Sequence, residues 1–133
     1  MSSEEDAREV VSIFVSGAPQ TFGDKTYEEP WKNIVANEVR ESCSSELPLE
    51  NQVQVHLVFH LLKERRVDLD NLMKPCLDAI GSVLFKRRKG GRSTWDTNDH
   101  WVFKIIAEKK MVSKKSEEGV KIVISQLTRT LSL

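Results

Sequence analysis

From Gln52 to Leu62 apolar and polar residues alternate without a break. Val53, Val55, Leu57, Phe59 and Leu61 point one way; Gln52, Gln54, His56 and His60 point the other. A period of two marks a strand with one face in a core. Glu9–Val15, rich in Val, Ile and Phe, predicts an earlier strand. Trp101–Lys109, with Val102, Ile105 and Ile106, and Val120–Leu127, alternating at Val120, Ile122 and Ile124, predict two later ones. Between the strands the period lengthens. Over Tyr27–Cys43 the apolar stripe is Trp31, Ile34, Val35 and Val39, and the charged residues form a solvated face. A second helix, running to about Leu84, carries Leu72, Leu77, Ile80 and Leu84 on the face that enters a core. Gly17, Pro19 and Gly23, then Ser42–Glu50 with Pro48, and the charged turn Lys114–Gly119 punctuate the elements. The order β-α-β-α-β-β predicts a small single α/β (α+β) domain: a mixed four-stranded sheet with two main helices.

Composition adds bounds. The chain has 133 residues, enough for a real core, and its 20 basic and 20 acidic residues point to no partner by bulk charge. The distribution is more telling. The polar, acidic start, residues 1–8, is expected to fray, leaving 9–133 as the domain. From Lys63 to Arg92 nine basic residues stand against four acidic ones, a local excess that attracts phosphate. Cys43 and Cys76 form no CxxC pair and read as free thiols of a reducing compartment. No apolar run is long enough to span a membrane and the start is not a signal peptide, so the expected location is the cytoplasm.

One stretch concentrates chemistry. Arg65 to Asp78 reads Arg-Arg-Val-Asp-Leu-Asp-Asn-Leu-Met-Lys-Pro-Cys-Leu-Asp. On a helix, Asp70, Lys74 and Asp78 stand four apart and share a face. Asp68 sits just before the helix, where a carboxylate can cap it. Oxygen-rich clusters of this kind suit a hard divalent cation. Pro75 lacks the N–H that would bond back to Asn71, so the helix is expected to kink or to start late.

The run Asp68-Leu-Asp70-Asn71-Leu-Met-Lys74, with Asp78 four residues on and Asn98-Asp99 leading into a strand, resembles the RusA family of Holliday junction resolvases. That family's pattern is Asp-x-Asp-Asn-Leu-x-Lys, a further Asp, and an Asp-Asp pair before a strand; Asn98 stands where many members carry the first Asp of the pair. The resemblance implies a Mg²⁺-dependent endonuclease, with Mn²⁺ as a substitute, acting as a homodimer on four-way DNA junctions in recombination and repair. It puts the catalytic acids at Asp68, Asp70 and Asp99 and the catalytic lysine at Lys74. The metal ligands are then Asp68, Asp70 and Asp99, with Asp78 either a further ligand or the partner of Lys74. Arg65, Arg66, Lys86, Arg87, Arg88 and Arg92, with Lys25 as an additional candidate, would hold the DNA backbone.

Each feature has a plainer reading. Acids at a helix N-terminus favour the helix dipole whether or not they bind metal. Lys74 and Asp78 make an ordinary i,i+4 pair, and Asp96 and Asp99 are common turn residues. His56 and His60 share a strand face without a third ligand, which is weak support for zinc. Trp95 and Trp101 suit packing or a dimer contact better than base stacking. The alternative to a nuclease is a non-catalytic, structure-selective DNA-binding protein of the same fold.

Overall fold

The computed structural model describes residues 7–127. Residues 1–6, expected to fray, lie outside that range; Ala7 and Arg8 already belong to the first strand, paired with Leu127 and Gln126. The elements are β1 (Ala7–Ser16), α1 (Glu28–Ser42), β2 (Val53–Leu62), α2 (Leu69–Leu84), β3 (Val102–Val112) and β4 (Gly119–Leu127). They follow the order expected from the pattern. The four strands form one mixed sheet, ordered β1-β4-β2-β3. β4 lies antiparallel to both β1 and β2, and β3 lies parallel to β2.

The alternation in β2 is realised residue for residue. Val53, Val55, Leu57, Phe59 and Leu61 are buried and the strand residues between them are half-buried; Gln52, just before the strand and expected on the other face, is buried as well. They meet Val120, Ile122 and Ile124 of β4, together with Leu72, Cys76, Ala79, Ile80 and Leu84 of α2 and Trp31, Val35 and Val39 of α1, in one core cluster. Truncating a fully buried member such as Leu57 to Ala is expected to cost about 2–5 kcal/mol. The opposite sheet face carries Phe14, His56 and His60. His56 Nε2 lies 3.2 Å from Glu108 Oε2, and the His60 ring meets Phe14 edge-on at 5.1 Å. These histidines make surface contacts and do not form a ligand set. Cys43 and Cys76 are both free, and burial pushes the Cys76 thiol up to about 12. No helix among the described residues is long and apolar enough to cross a membrane.

The helices depart from expectation in four ways. Ile34 of α1 is exposed, while Lys32 is buried, so the charged residues of this helix are not all solvated. Positions 32, 35, 36 and 39 share one helical stripe, and it is this stripe that packs against α2. Leu77 of α2 is only half-buried, because its spacing of seven from Asp70 puts it on the acidic stripe. Finally, α2 does not start late: it runs from Leu69 to Leu84 with Pro75 inside it. In the turn after β3, Glu118 is also buried rather than solvated, bound by the Leu62 N–H at 3.4 Å and Arg65 Nη1 at 3.6 Å.

Parallel neighbours need a crossover, and α2 is the crossover from β2 to β3. It therefore starts where β2 ends and finishes where β3 begins. That placement decides the geometry of the candidate site.

Candidate metal and nucleic-acid site along the second helix

The helix tolerates Pro75 because the carbonyl that the proline orphans has another donor. Asn71 O accepts the Phe22 N–H at 2.8 Å, from the loop between β1 and α1. This bond ties that loop, with the exposed Lys25, to the first turn of α2. Asp24 organises the end of the loop by accepting the N–H groups of Thr26 and Tyr27 at 3.1 and 3.0 Å.

Asp68 occupies the N-cap position of α2, yet its side chain makes no capping bond. Asp68 and Asp70 are both exposed, and among the described residues neither carboxylate has a hydrogen-bond or ion-pair partner. Capping bonds and ion pairs are thus not what these carboxylates contribute, which leaves their charge at the helix start.

One to two turns further on, the picture changes. Lys74 Nζ reaches forward to Asp78 Oδ1 at 2.7 Å, and Lys32 Nζ approaches Asp78 Oδ2 at 3.5 Å from α1. Lys32 also faces Glu28 Oε2 at 3.7 Å and sits 4.5 Å from the centre of the Trp95 ring. Buried Lys32 stands between Asp78 and Glu28, and the opposite charges offset one another where a lone buried charge would be costly. Asp78 is therefore the shared partner of Lys74 and Lys32. Trp95 serves as the lid over Lys32, a packing and cation–π role.

Asp99 lies beyond this cluster. Its Oδ1 accepts the hydroxyl of the buried Thr97 at 2.8 Å. A Cβ at Gly81 would run into Thr97 Oγ1 and stand 2.7 Å from Asp99 Oδ1, so glycine is what lets Asp99 lie against α2. Asp70 and Gly81 are eleven residues apart on the continuous helix, about 16 Å along its axis at 1.5 Å per residue. The chain thus brings together Lys74 with Asp78, and Asp68 beside Asp70, but it does not bring Asp99 to Asp68 and Asp70. Among the described residues no three His, Cys, Asp or Glu side chains are arranged to hold a metal ion.

The basic residues divide the same way. Arg65, a candidate for DNA contact, is drawn to the buried Glu118, while its neighbour Arg66 stays exposed beside Asp68. Lys86, Arg87, Arg88 and Arg92 lie at the opposite end of α2, in a structured loop. Lys86 pairs with Glu50 at 2.7 Å and Arg87 Nη2 donates to Gly91 O at 3.1 Å. Asp96 gathers the loop: its Oδ2 accepts the N–H groups of Arg92 and Ser93 at 2.8 and 3.1 Å, which hold its carboxyl below the usual 3.8. The backbone N–H of Asn98 donates to Lys86 O at 3.0 Å. Asp96 is a loop former, as its turn-like surroundings suggest.

Sequence reasoning missed Lys32, Glu28, Thr97 and Gly81. The signal for Lys32 was present, since a lysine at stripe position 32 interrupts an otherwise apolar face. No local pattern marks Thr97 or Gly81, whose roles arise from contact across the fold.

A small α+β domain with free carboxylates at a helix start and exposed arginines and lysines around them has the makings of a phosphodiester-processing domain. The chain belongs to the RusA endodeoxyribonuclease family: the model of the family described as endodeoxyribonuclease RusA matches residues 7–125. None of the curated proteins compared with it matches the chain.

Proposed function

We propose that the protein is a divalent-cation-dependent endonuclease of branched DNA, which cuts four-way junctions by paired nicks as a cytoplasmic homodimer. The observation that carries this reading is the pair Asp68 and Asp70: exposed, two residues apart, and without a hydrogen-bond or ion-pair partner among the described residues. Membership of an endodeoxyribonuclease family supplies the reaction class. Mg²⁺ is the proposed cofactor, with Mn²⁺ as substitute, because carboxylate oxygens suit such ions. Asp68, Asp70 and Asp99 are the proposed catalytic acids. Lys74, already held by Asp78, presents a positive charge where a phosphate would develop negative charge. Arg66, Lys86, Arg87, Arg88 and Arg92, with Lys25, are proposed to hold phosphates, giving affinity that falls with salt. Arg65 contributes to this set less directly, through its tie to Glu118.

The test is cleavage of a synthetic four-way junction beside linear duplex, with and without Mg²⁺. Nicking of the junction alone, lost in Asp70→Asn with binding retained, is the expected result. Salt-sensitive junction binding with no cleavage in any divalent metal would instead establish the non-catalytic reading.

A further inference from the structure

Two lysines at one end of the sheet take no part in the site described so far. β2 and β3 run parallel and end together, His60 level with Lys110 and Leu62 with Val112. Both strands therefore finish at the end of the domain where α2 begins. Alternation puts His60, Lys110 and Val112 on the sheet face that the helices leave open. Lys63 and Ser113 follow directly after the two strands, and together these residues line an open cleft of about 450 Å³.

The cleft is cationic. Lys63 and Lys110 are exposed, and among the described residues neither side chain has a hydrogen-bond or ion-pair partner; nor does the Ser113 hydroxyl. Glu117, the carboxylate at the rim, is engaged in the turn before β4, where its Oε1 accepts the Lys114 N–H at 3.1 Å. Lys121, which β4 puts on the same face, is turned to Ser12 Oγ at 3.4 Å. Phe14 braces the His60 ring edge-on. Burial and then Lys110 hold the His60 imidazole below its ordinary value, and the opposing pull of Glu117 does not cancel them. Lys109, one residue before Lys110, reaches the other way and donates to Val67 O at 2.9 Å, next to Asp68. Consecutive lysines of the edge strand thus serve both sides of the sheet, one at the approach to the acids and one in the cleft.

We propose that this cleft is a DNA-phosphate site, in which Lys63 and Lys110, with the His60 ring and the Ser113 hydroxyl, hold a phosphodiester of the duplex arm that leaves the acidic end of α2. The proposal rests on the reading of the protein as a nuclease of branched DNA and adds to it a path for one arm. Free ammonium groups are what a DNA phosphate neutralises, releasing its counterions. A hydroxyl and a ring N–H beside them are donors of the kind that fix a backbone in place without reading its sequence. An arm passing Asp68 and Asp70 then crosses the end of β3, from the side of Lys109 to the side of Lys110, and is held whatever its base sequence.

The experiment measures binding of a synthetic four-way junction and of linear duplex by fluorescence anisotropy, without divalent metal and over a range of salt. The double variant Lys63→Gln/Lys110→Gln is expected to lose one phosphate contact. Its plot of log affinity against log salt should be shallower by about 0.9, which is about eightfold weaker binding at about 0.1 M salt. Lys110→Gln alone is expected to show part of that loss. Lys104→Gln removes the same charge from the same strand face about 20 Å away, at about 3.3 Å per residue, and is expected to bind as wild type does. In a nuclear magnetic resonance titration with duplex DNA, the His60 imidazole pKa is expected to rise, because a phosphate beside it favours the charged ring. That of His56, which faces Glu108 at 3.2 Å, is expected to stay where it is. Equal losses in Lys104→Gln and Lys110→Gln overturn the proposal, since they make these lysines part of a diffuse field. An unmoved His60 overturns it too, as does a double variant that binds and cuts like wild type; both leave the nuclease reading intact. A wild-type protein that binds the junction and cuts nothing in Mg²⁺ refutes the nuclease reading, while the salt slopes still decide the cleft. One that binds no DNA refutes both.

Discussion

The two ends of α2 use the same residue types to opposite effect. At its start, Asp68 and Asp70 face water with no partner among the described residues. Further along, the buried Asp78 is held by Lys74 and Lys32. A carboxylate whose charge is already matched serves the fold first. One left unmatched at the surface is free for a ligand. The contrast separates acids by their work better than their spacing does, since Asp70 and Asp78 stand on neighbouring parts of one helical face.

The largest test of that contrast is Asp70→Asn. Cleavage is expected to fall by at least about 10²-fold, the scale of losing one transition-state-stabilising group, while stability to urea changes by less than about 0.5 kcal/mol. A large loss of stability would make Asp70 a structural residue and erase the contrast. At the enclosed end the balance inverts. Lys32→Met leaves Asp78 and Glu28 short of positive charge in a buried interface and is expected to cost about 3 kcal/mol in urea unfolding. Unfolding that matches wild type would show that Lys74 alone satisfies Asp78. A smaller effect, about 1–3 kcal/mol, is expected for Gly81→Ala, which forces Thr97 and Asp99 off the helix; an unchanged denaturation midpoint would mean that the seat is not tight.

The mildest test concerns Asp96. Its folded carboxyl is held below its usual 3.8 by the amides of Arg92 and Ser93. The loop therefore has this support in full above 3.8 and loses it as pH falls through the lowered value. Nuclear magnetic resonance should show the Arg92 and Ser93 amides shifting together below 3.8, without change in the Leu72 amide. Movement of the Leu72 amide in step with them would mean that the loop and the open end of α2 are not independent.

The strands and their order were legible because a half-buried strand must alternate, and β2 does so over its whole length. The acids and Lys74 were legible because their spacing on one helix is local. What escaped was non-local. Lys32 is buried through Asp78 and Trp95, which lie far away in sequence. Pro75 looked like a helix breaker because the compensating donor, Phe22, belongs to another segment. The separation of Asp99 from Asp70 follows from the parallel pairing of β2 with β3, which fixes where the connecting helix must begin and end. Neither residue type nor spacing encodes that pairing.

The Phe22–Asn71 bond has a consequence for hydrogen exchange. Phe22 lies in an exposed loop, where amides ordinarily trade protons with water quickly, but its N–H is held by a helix carbonyl. Its exchange should thus follow opening of the first turn of α2 rather than motion of the loop. One loop amide then acts as a clock for the acidic end of the helix, timing how often the segment bearing Asp70 lets go.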